Sequence, residues 1–174
     1  MLSQMASQKA SETALHDMLS RMSNNAKETM DKMGDIVWMI KPGETEAGSL
    51  VQRMEHFAYE VGTSKNIEVI VQLDELEKVK LSMEQRRNIY LIFKEALNNA
   101  AKYSGTKKID ITSSLKNREL QVMIKDEGNG FDPASTRKGN GLGNMSNRAA
   151  ELGGKLEINS WVNEGTTVML TLPV

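Results

Sequence analysis

The stretch from Ser82 to Tyr103 carries apolar side chains at helical spacing, which predicts a long amphipathic helix. Ser82 with Gln85 three residues later fits a capping box at the start of this helix. Its apolar stripe consists of Ile89, Ile92, Phe93, Ala96, Leu97 and Ala100. A stripe of this length must be covered in the folded protein, so we expect it to face a sheet.

Short runs rich in β-branched residues on both sides of this helix supply the strands of that sheet. We predict strands near 67–73, 108–114, 119–125, 155–161 and 166–172, with a turn at Lys116-Asn117. Two further helices are predicted at about 49–63 and 142–152. This order indicates an α+β fold, a two-layer α/β sandwich with a mixed sheet and helices on one face.

The first forty residues follow a different pattern, which predicts a long N-terminal helix before the sandwich. Apolar or small residues recur at alternating steps of four and three, as in a heptad seam, at Leu15, Leu19, Met22, Ala26, Thr29, Met33, Ile36 and Ile40. Such a seam packs on its own domain or on a partner helix. We favour self-association, because no second helix is available before Pro42. Lys41-Pro42-Gly43 ends the helix, so we divide the chain into 1–42 and 43–174.

Composition excludes several classes of protein. The 22 basic and 23 acidic residues leave a net charge of -1, so the chain lacks an electrostatic footprint for nucleic acid or a membrane surface. Without cysteine there is no disulfide framework and no thiolate metal site. No apolar run reaches about 18 residues, and no signal peptide opens the chain. We therefore expect a cytoplasmic protein or a soluble fragment of a larger one.

The heptapeptide DEGNGFD at 126–132 admits three interpretations. A calcium loop is disfavoured because Gly128 and Gly130 stand where such a loop needs oxygen ligands. A hairpin through Asn129-Gly130 needs a strand directly afterwards, whereas a proline and several glycines follow. We favour the third interpretation, in which the glycines let the backbone approach a ligand and Asp126 presents a carboxylate to it.

Two other segments strengthen this interpretation. Gly139-Asn140-Gly141-Leu142-Gly143 leads into a predicted helix, and backbone donors at a helix N-terminus can bind an anion. Glu95, Asn99 and Lys102 occupy one face of the long helix through their i, i+4, i+7 spacing. Taken separately, the first could be a linker with a helix cap and the second a solvated polar stripe. Taken together with Asp126, they indicate a site for magnesium and a triphosphate.

Four stretches resemble, in order and spacing, the nucleotide-binding boxes and closing strand of sensor histidine kinase catalytic domains. They are FKEALNNAAKYS (93–104), DEGNGFD (126–132), GNGLGNMSNRAAELGG (139–154) and EGTTVMLTLP (164–173). These domains have the Bergerat fold of the GHKL ATPase superfamily, which includes type II topoisomerases, mismatch-repair ATPases and heat-shock chaperones. KMGDIVWMIKPG (32–43) is similar to the end of the second dimerisation helix in the bacterial subfamily with a short N box.

The resemblance implies ATP and Mg²⁺ as ligands and assigns roles on the long helix. Asn99 would hold the magnesium ion that bridges the phosphates. Glu95 would orient or deprotonate the attacking group, and Lys102 would offset phosphate charge. Tyr103 stands where many relatives have histidine, and its phenol can still form a hydrogen bond.

The resemblance also assigns the base pocket and the lid. Asp126 would accept the adenine amino hydrogen, which selects adenine over guanine, while Gly128 and Gly130 keep side chains away from the base. Thr167 would bond near the adenine through water. A lid hinged at Gly141 and Gly143 would meet the phosphates through backbone amides, and we expect weak order from about 133 to 140. The cofactor-binding residues of this segment are Gly139, Gly141, Leu142 and Gly143.

By the same resemblance, the intact protein is a homodimer that transfers the ATP γ-phosphoryl group to a histidine and onward to a response regulator. His16 lies 22 residues before Trp38 on an apparently unbroken helix, which places it on the second dimerisation helix. We therefore expect neither His16 nor His56 to be the acceptor, and we expect a truncated kinase without its acceptor helix. We expect the intact protein to be attached to a membrane, if at all, only through other segments of the parent protein.

Three alternatives to this function stay open. They are an anti-sigma-factor-type serine kinase, a non-catalytic nucleotide-binding scaffold of the same fold, and a topoisomerase-like or mismatch-repair ATPase. The junction at 32–43 argues against the serine kinase, and the intact Glu95, Asn99 and Asp126 argue against a scaffold. The short lid and the absence of a transducer domain argue against the third.

Overall fold

The computed structural model describes residues 47–132 and 140–174, together with eight helical residues between positions 18 and 34. The chain divides into two compact units, Met1–Gly43 and Glu44–Val174, and the architecture below is that of the second. Among the described residues of the predicted heptad seam, all are helical and exposed: Leu19, Met22, Ala26 and Met33. The rest of the seam, the break at Pro42 and His16 lie outside the described residues.

The described residues of the second unit form four helices: α1 (Ala47–Lys65), α2 (Asp74–Glu77), α3 (Met83–Tyr103) and α4 (Asn140–Glu151). The predicted capping box of α3 is confirmed. The Ser82 hydroxyl accepts the Gln85 N–H at 3.1 Å, and the Gln85 side chain accepts the Ser82 N–H at 2.8 Å. Helix α2 was not predicted, because its four residues DELE are too few to show a helical period.

Five strands form one mixed sheet, with the spatial order β1-β2-β3-β5-β4. They are β1 (Glu68–Gln72), β2 (Lys108–Lys116), β3 (Glu119–Asp126), β4 (Lys155–Trp161) and β5 (Gly165–Pro173). The pair β1–β2 is parallel, and the other three pairs are antiparallel. The predicted α+β fold with a mixed sheet is confirmed.

The helices cover one face of the sheet, and the core lies between the two layers. All six residues of the predicted α3 stripe are buried. Opposite them, strands alternate between buried and less buried positions, with Leu120, Val122 and Ile124 buried in β3. Helix α1 packs against α3 through Phe57, whose ring meets the Phe93 ring edge-on at 6.3 Å.

The turn between β2 and β3 lies one residue later than predicted. Lys116 pairs with Glu119, so the two loop residues are Asn117 and Arg118 rather than Lys116 and Asn117. Both loop residues have positive φ, 52° and 63°. Two successive positive φ values match the right-handed twist of the flanking strands, and Asn tolerates that conformation better than most residues.

Candidate functional site

A cavity of about 530 Å³ lies between helices α3 and α4 on one side and strands β3, β4 and β5 on the other. This volume is within the usual range for a small-molecule site. The lining residues are Glu95, Ala96, Asn99, Ala100, Tyr103, Ser104, Ile124, Asp126, Gly130, Phe131, Gly141, Leu142, Met145, Ile158, Thr166 and Val168. Mostly apolar walls with a few polar groups suit a flat aromatic ligand that carries a charged tail.

One end of the cavity is formed by the two helices. Glu95 and Asn99 lie one turn apart on α3, and both are partly buried. At the start of α4, a methyl group on Gly141 would overlap the Glu95 carboxylate. The glycine therefore allows the N-terminal turn of α4, whose backbone donors favour anions, to lie against Glu95.

The other end is formed by the strands, and Asp126 is its central polar group. Asp126 ends β3 and is only 4% exposed. Its Oδ1 accepts the Gly128 N–H at 2.9 Å, and its carboxylate also accepts the backbone N–H of Thr166. Burial raises the pKa of the Asp126 carboxyl, and these two backbone donors oppose the rise. The carboxylate is thus held in place with acceptor capacity left for a ligand.

Glycines at this end permit close approaches between backbone segments. Gly130 and Gly165 have φ values of +56° and +84°, which favour glycine. A methyl group on Gly130 would overlap the carbonyl oxygen of Trp161, and one on Gly165 would overlap that of Asp126. The backbone conformation and the close backbone contacts at these two positions therefore require glycine.

Gly128 has a different reason for being glycine from the one predicted. A methyl group there would overlap the backbone of Ser104, the residue that ends α3. The next residue, Asn129, donates its N–H to the Ser104 carbonyl at 2.7 Å. Gly128 thus lets the loop after β3 dock onto the end of α3, and it does not line the cavity.

These contacts place the two polar ends of the cavity at opposite ends of the same helical segment. Asp126 lies near Ser104 through the docked loop, whereas Glu95 lies nine residues earlier, beside Gly141. Nine residues of α-helix span about 14 Å. The cavity therefore has one carboxylate fixed among strands and, about 14 Å of helix away, the Glu95 carboxylate beside the start of α4, with the Asn99 amide between them on α3.

The model of the family described as histidine kinase-, DNA gyrase B- and HSP90-like ATPases matches residues 84–174, which is more than half of the chain. The chain belongs to this ATPase family. The resemblance to the GHKL superfamily is thereby confirmed. The matched segment begins in α3 and contains every residue that lines the cavity.

Two curated relatives are similar over most of this ATPase chain. An uncharacterized sensor-like histidine kinase of Chloroflexus aurantiacus is 26% identical over 90% of the chain and 28% of its own length. Sensor histidine kinase YhcY of Bacillus subtilis is 26% identical over 92% of the chain and 41% of its own length. The chain thus spans less than half the length of these two relatives.

Solved structures share the fold of the ATPase unit. A histidine kinase domain from the blue-light activated histidine kinase of Erythrobacter litoralis superposes with a TM-score of 0.62 at 22% identity, covering 71% of this chain and 60% of that one. The catalytic domain of histidine kinase ThkA superposes with a TM-score of 0.59 at 22% identity, covering 74% of this chain and 93% of that one. Both likenesses support the two-layer sandwich.

The ATPase fold gathers most of the predicted site residues around one cavity, namely Glu95, Asn99, Tyr103, Asp126, Gly130, Gly141 and Leu142. Lys102 is exposed on α3 and does not line the cavity, and the same is true of Gly143 on α4. Gly139 and most of the predicted lid, from 133 to 139, lie outside the described residues.

Thr166, rather than the predicted Thr167, lines the cavity beside Asp126. Thr166 and Val168 both line the cavity, and successive side chains of a strand face opposite sides of the sheet. Thr167 therefore faces away from the cavity. The prediction chose the wrong member of a Thr-Thr pair, and the signal that separates them is the alternation of β5, in which Val168, Leu170 and Leu172 are buried.

Sequence reasoning also missed Phe131 and the apolar walls of the cavity. Ile124, Ile158 and Val168 line it from three neighbouring strands. Each was visible only as part of a strand, and their convergence depends on the order β3-β5-β4, which the sequence does not state. Phe131 follows β3 in a loop, where no periodic pattern marks it as part of a cavity wall.

Within the described residues, no group of three or more His, Cys, Asp or Glu side chains could hold a metal ion. His56 lies on α1 with its side chain 77% exposed and its Nε2 3.6 Å from Glu60. The helices in the described part of the chain include none with the length and apolar character that a membrane span requires.

Proposed function

We propose that this chain is the ATP-binding catalytic part of a sensor histidine kinase, which transfers the γ-phosphoryl group of Mg-ATP to a histidine. The observation that carries the proposal is the cavity with two different ends. A buried carboxylate at one end suits a purine amino group, and a carboxylate, an amide and a helix N-terminus at the other suit a triphosphate. The relatives that are named sensor histidine kinases support the choice of reaction.

At the base end, Asp126 accepts a hydrogen from the adenine amino group. A guanine base carries a carbonyl oxygen at that position, so its lone pairs would oppose those of the carboxylate. The apolar walls that include Ile124 and Val168 enclose the ring, and Phe131 lies at the same cavity. Binding energy at this end is independent of the phosphates.

At the phosphate end, Asn99 is suited to hold Mg²⁺ through its side-chain oxygen. Mg²⁺ in nucleotide sites takes few protein ligands and several phosphate oxygens, so a single amide oxygen suits this ion. When bound, the ion supplies charge neutralisation between the β- and γ-phosphates. Lys102 is exposed nearby on α3 and contributes long-range attraction for the anionic tail.

Glu95 is the residue that we assign to the transfer step. An imidazole nitrogen of the acceptor attacks the γ-phosphorus, the bond to the β–γ bridging oxygen breaks, and ADP leaves with the electron pair of that bond. Glu95 orients the acceptor ring and takes up its proton. Gly141 lies against the Glu95 carboxylate, and both residues line the cavity.

The acceptor histidine belongs, in this proposal, to a separate dimerisation helix. We assign residues 1–42 to the second dimerisation helix and 43–174 to the catalytic domain, with a homodimeric parent and a response regulator as the phosphoryl recipient. Neither His16 nor His56 is the acceptor, and the catalytic domain works in the cytoplasm.

A transfer experiment in trans tests the proposal. The chain is incubated with γ-labelled ATP, Mg²⁺ and a polypeptide that carries the first dimerisation helix of the parent protein. We expect acid-labile label, characteristic of phosphohistidine, on the added polypeptide and none on the chain itself. The variant Glu95→Gln retains ADP binding and loses transfer. Strong labelling of His16, or acid-stable label typical of phosphoserine, contradicts the proposal.

A further inference from the structure

A buried hydroxyl group lies directly behind the base end of the cavity. Ser160 on β4 is 4% exposed, and its Oγ has three partners. It accepts the N–H of Phe131 at 2.9 Å, it donates to the carbonyl oxygen of Gly165 at 3.1 Å, and it lies 2.9 Å from the hydroxyl oxygen of Thr166. Two of these partners, Phe131 and Thr166, line the cavity, whereas Ser160 does not.

The hydrogen-bond inventory of these groups favours one direction for the Thr166 hydroxyl. A hydroxyl has one hydrogen to donate and two lone pairs that accept. The hydrogen of Ser160 goes to Gly165, and one lone pair takes the N–H of Phe131. Either hydroxyl can be the donor in the 2.9 Å contact between Ser160 and Thr166. When the Ser160 hydrogen goes to Gly165, the Thr166 hydrogen makes that contact. That hydrogen is committed to Ser160, and only the lone pairs of the Thr166 oxygen remain for a ligand or a bridging water.

We infer that Ser160 is a positioning residue for base selection, which makes Thr166 a hydrogen-bond acceptor toward the cavity. The inference rests on the proposed function, because it concerns the base of the bound nucleotide. Asp126 pairs with Thr166 across β3 and β5 and is an acceptor as well. Two adjacent acceptors match the amino group of adenine, directly or through water, and oppose the carbonyl oxygen of a 6-oxopurine.

Removing the Ser160 hydroxyl gives a specific prediction about nucleotide preference. In Ser160→Ala, the Thr166 hydroxyl is free to rotate and donate to a carbonyl oxygen. We expect the ratio of the Kd for inosine diphosphate to the Kd for ADP to fall roughly three- to tenfold, which corresponds to one hydrogen bond. The ratio is measured by displacing a fluorescent ADP analogue from the full chain in the presence of Mg²⁺.

Two further variants separate this role from a loss of structure. Thr166→Val removes the hydroxyl with little change of shape and also lowers the ratio, and adding Ser160→Ala to it produces no further fall. Ser113→Ala is the matched control, since the Ser113 hydroxyl accepts the Leu76 N–H at 3.1 Å away from the cavity. It lowers stability and leaves the ratio unchanged.

The outcomes distinguish this inference from the proposed function. A ratio that falls in Ser160→Ala and stays constant in the Thr166→Val background supports the role of Ser160. Equal weakening of both nucleotides in Ser160→Ala, or an unchanged ratio in Thr166→Val, overturns it while ADP binding by the wild-type chain leaves the proposed function standing. A wild-type chain that binds no ADP overturns both.

Discussion

The base end and the phosphate end of the cavity are built in different ways. At the base end, strands β3, β4 and β5 and the loop after β3 are cross-linked by hydrogen bonds of the buried residues Asp126 and Ser160. At the phosphate end, Glu95 and Asn99 project from one helix, and their surroundings depend on how closely α4 approaches α3. The base end is preorganised by the protein, whereas the phosphate end, under the proposed function, would be completed by the ligand and its metal ion.

The largest expected effects come from one substitution at each end. Asp126→Asn replaces an acceptor oxygen with a donor, and we expect binding of adenosine and of Mg-ATP to weaken alike, by roughly 10- to 100-fold. Asn99→Ala weakens binding of Mg-ATP by at least about tenfold and leaves binding of adenosine unchanged, because adenosine has no phosphate. Calorimetric titration of both ligands measures this. A loss of adenosine binding in Asn99→Ala contradicts the separation of the two ends.

Gly165→Ala tests whether the base end depends on its backbone geometry. The new methyl group would overlap the Asp126 carbonyl oxygen at a residue with φ of +84°. We expect the free energy of unfolding to fall by about 2 kcal/mol. Gly143→Ala is the matched control, because its methyl group meets open space on α4. It raises helix propensity and stabilises the chain slightly. Urea unfolding of both variants measures the contrast, and equal stabilities would refute it.

Gly141→Ala tests the phosphate end, where we expect a loss of activity without a loss of stability. Its methyl group displaces the end of the flexible Glu95 side chain instead of a backbone atom, so stability changes little. The carboxylate moves, and we expect phosphoryl transfer in trans to fall about tenfold while the Kd for ADP stays within about twofold. In the control variant Gly143→Ala, phosphoryl transfer falls less than in Gly141→Ala. If Gly141→Ala weakens ADP binding as strongly as it slows phosphoryl transfer, Glu95 is not the residue that the substitution disturbs.

The acid dependence of stability gives the smallest effect and again concerns the base end. Burial raises the folded-state pKa of Asp126 above its usual value of 3.8, so the folded chain binds this proton more tightly than the unfolded chain. The wild type is therefore favoured relative to Asp126→Asn at low pH, and the advantage declines as the pH rises through the folded-state pKa. Urea unfolding of both chains from about pH 4 to pH 7 measures the difference. If the free energy of unfolding of the wild type, relative to that of Asp126→Asn, increases with pH, this prediction is contradicted.

The same contrast between the two ends explains what the sequence could predict. The proximity of Glu95 and Asn99 could be predicted because they lie one turn apart on a helix with a clear period, so a single element brings them together. The roles proposed for them came from the resemblance. The fold class followed from the order of periodic segments.

The base end was harder to predict because it depends on pairing between distant strands. Thr166 reaches Asp126 only through the β3–β5 register, and Ser160 reaches Thr166 through the β4–β5 register. Local spacing could not decide between Thr166 and Thr167, nor could it show that Gly128 is needed against Ser104. Long-range backbone contacts of this kind leave no periodic pattern in the sequence.

The most direct test of the central claim is a titration of the wild-type chain with ATP in the presence and absence of Mg²⁺. The account predicts saturable binding at one site, tighter with Mg²⁺, and a dependence on the ion that disappears in Asn99→Ala and persists, at weaker affinity, in Asp126→Asn. Absence of saturable binding, or an affinity that neither substitution changes, would contradict the assignment of this cavity as a Mg-ATP site.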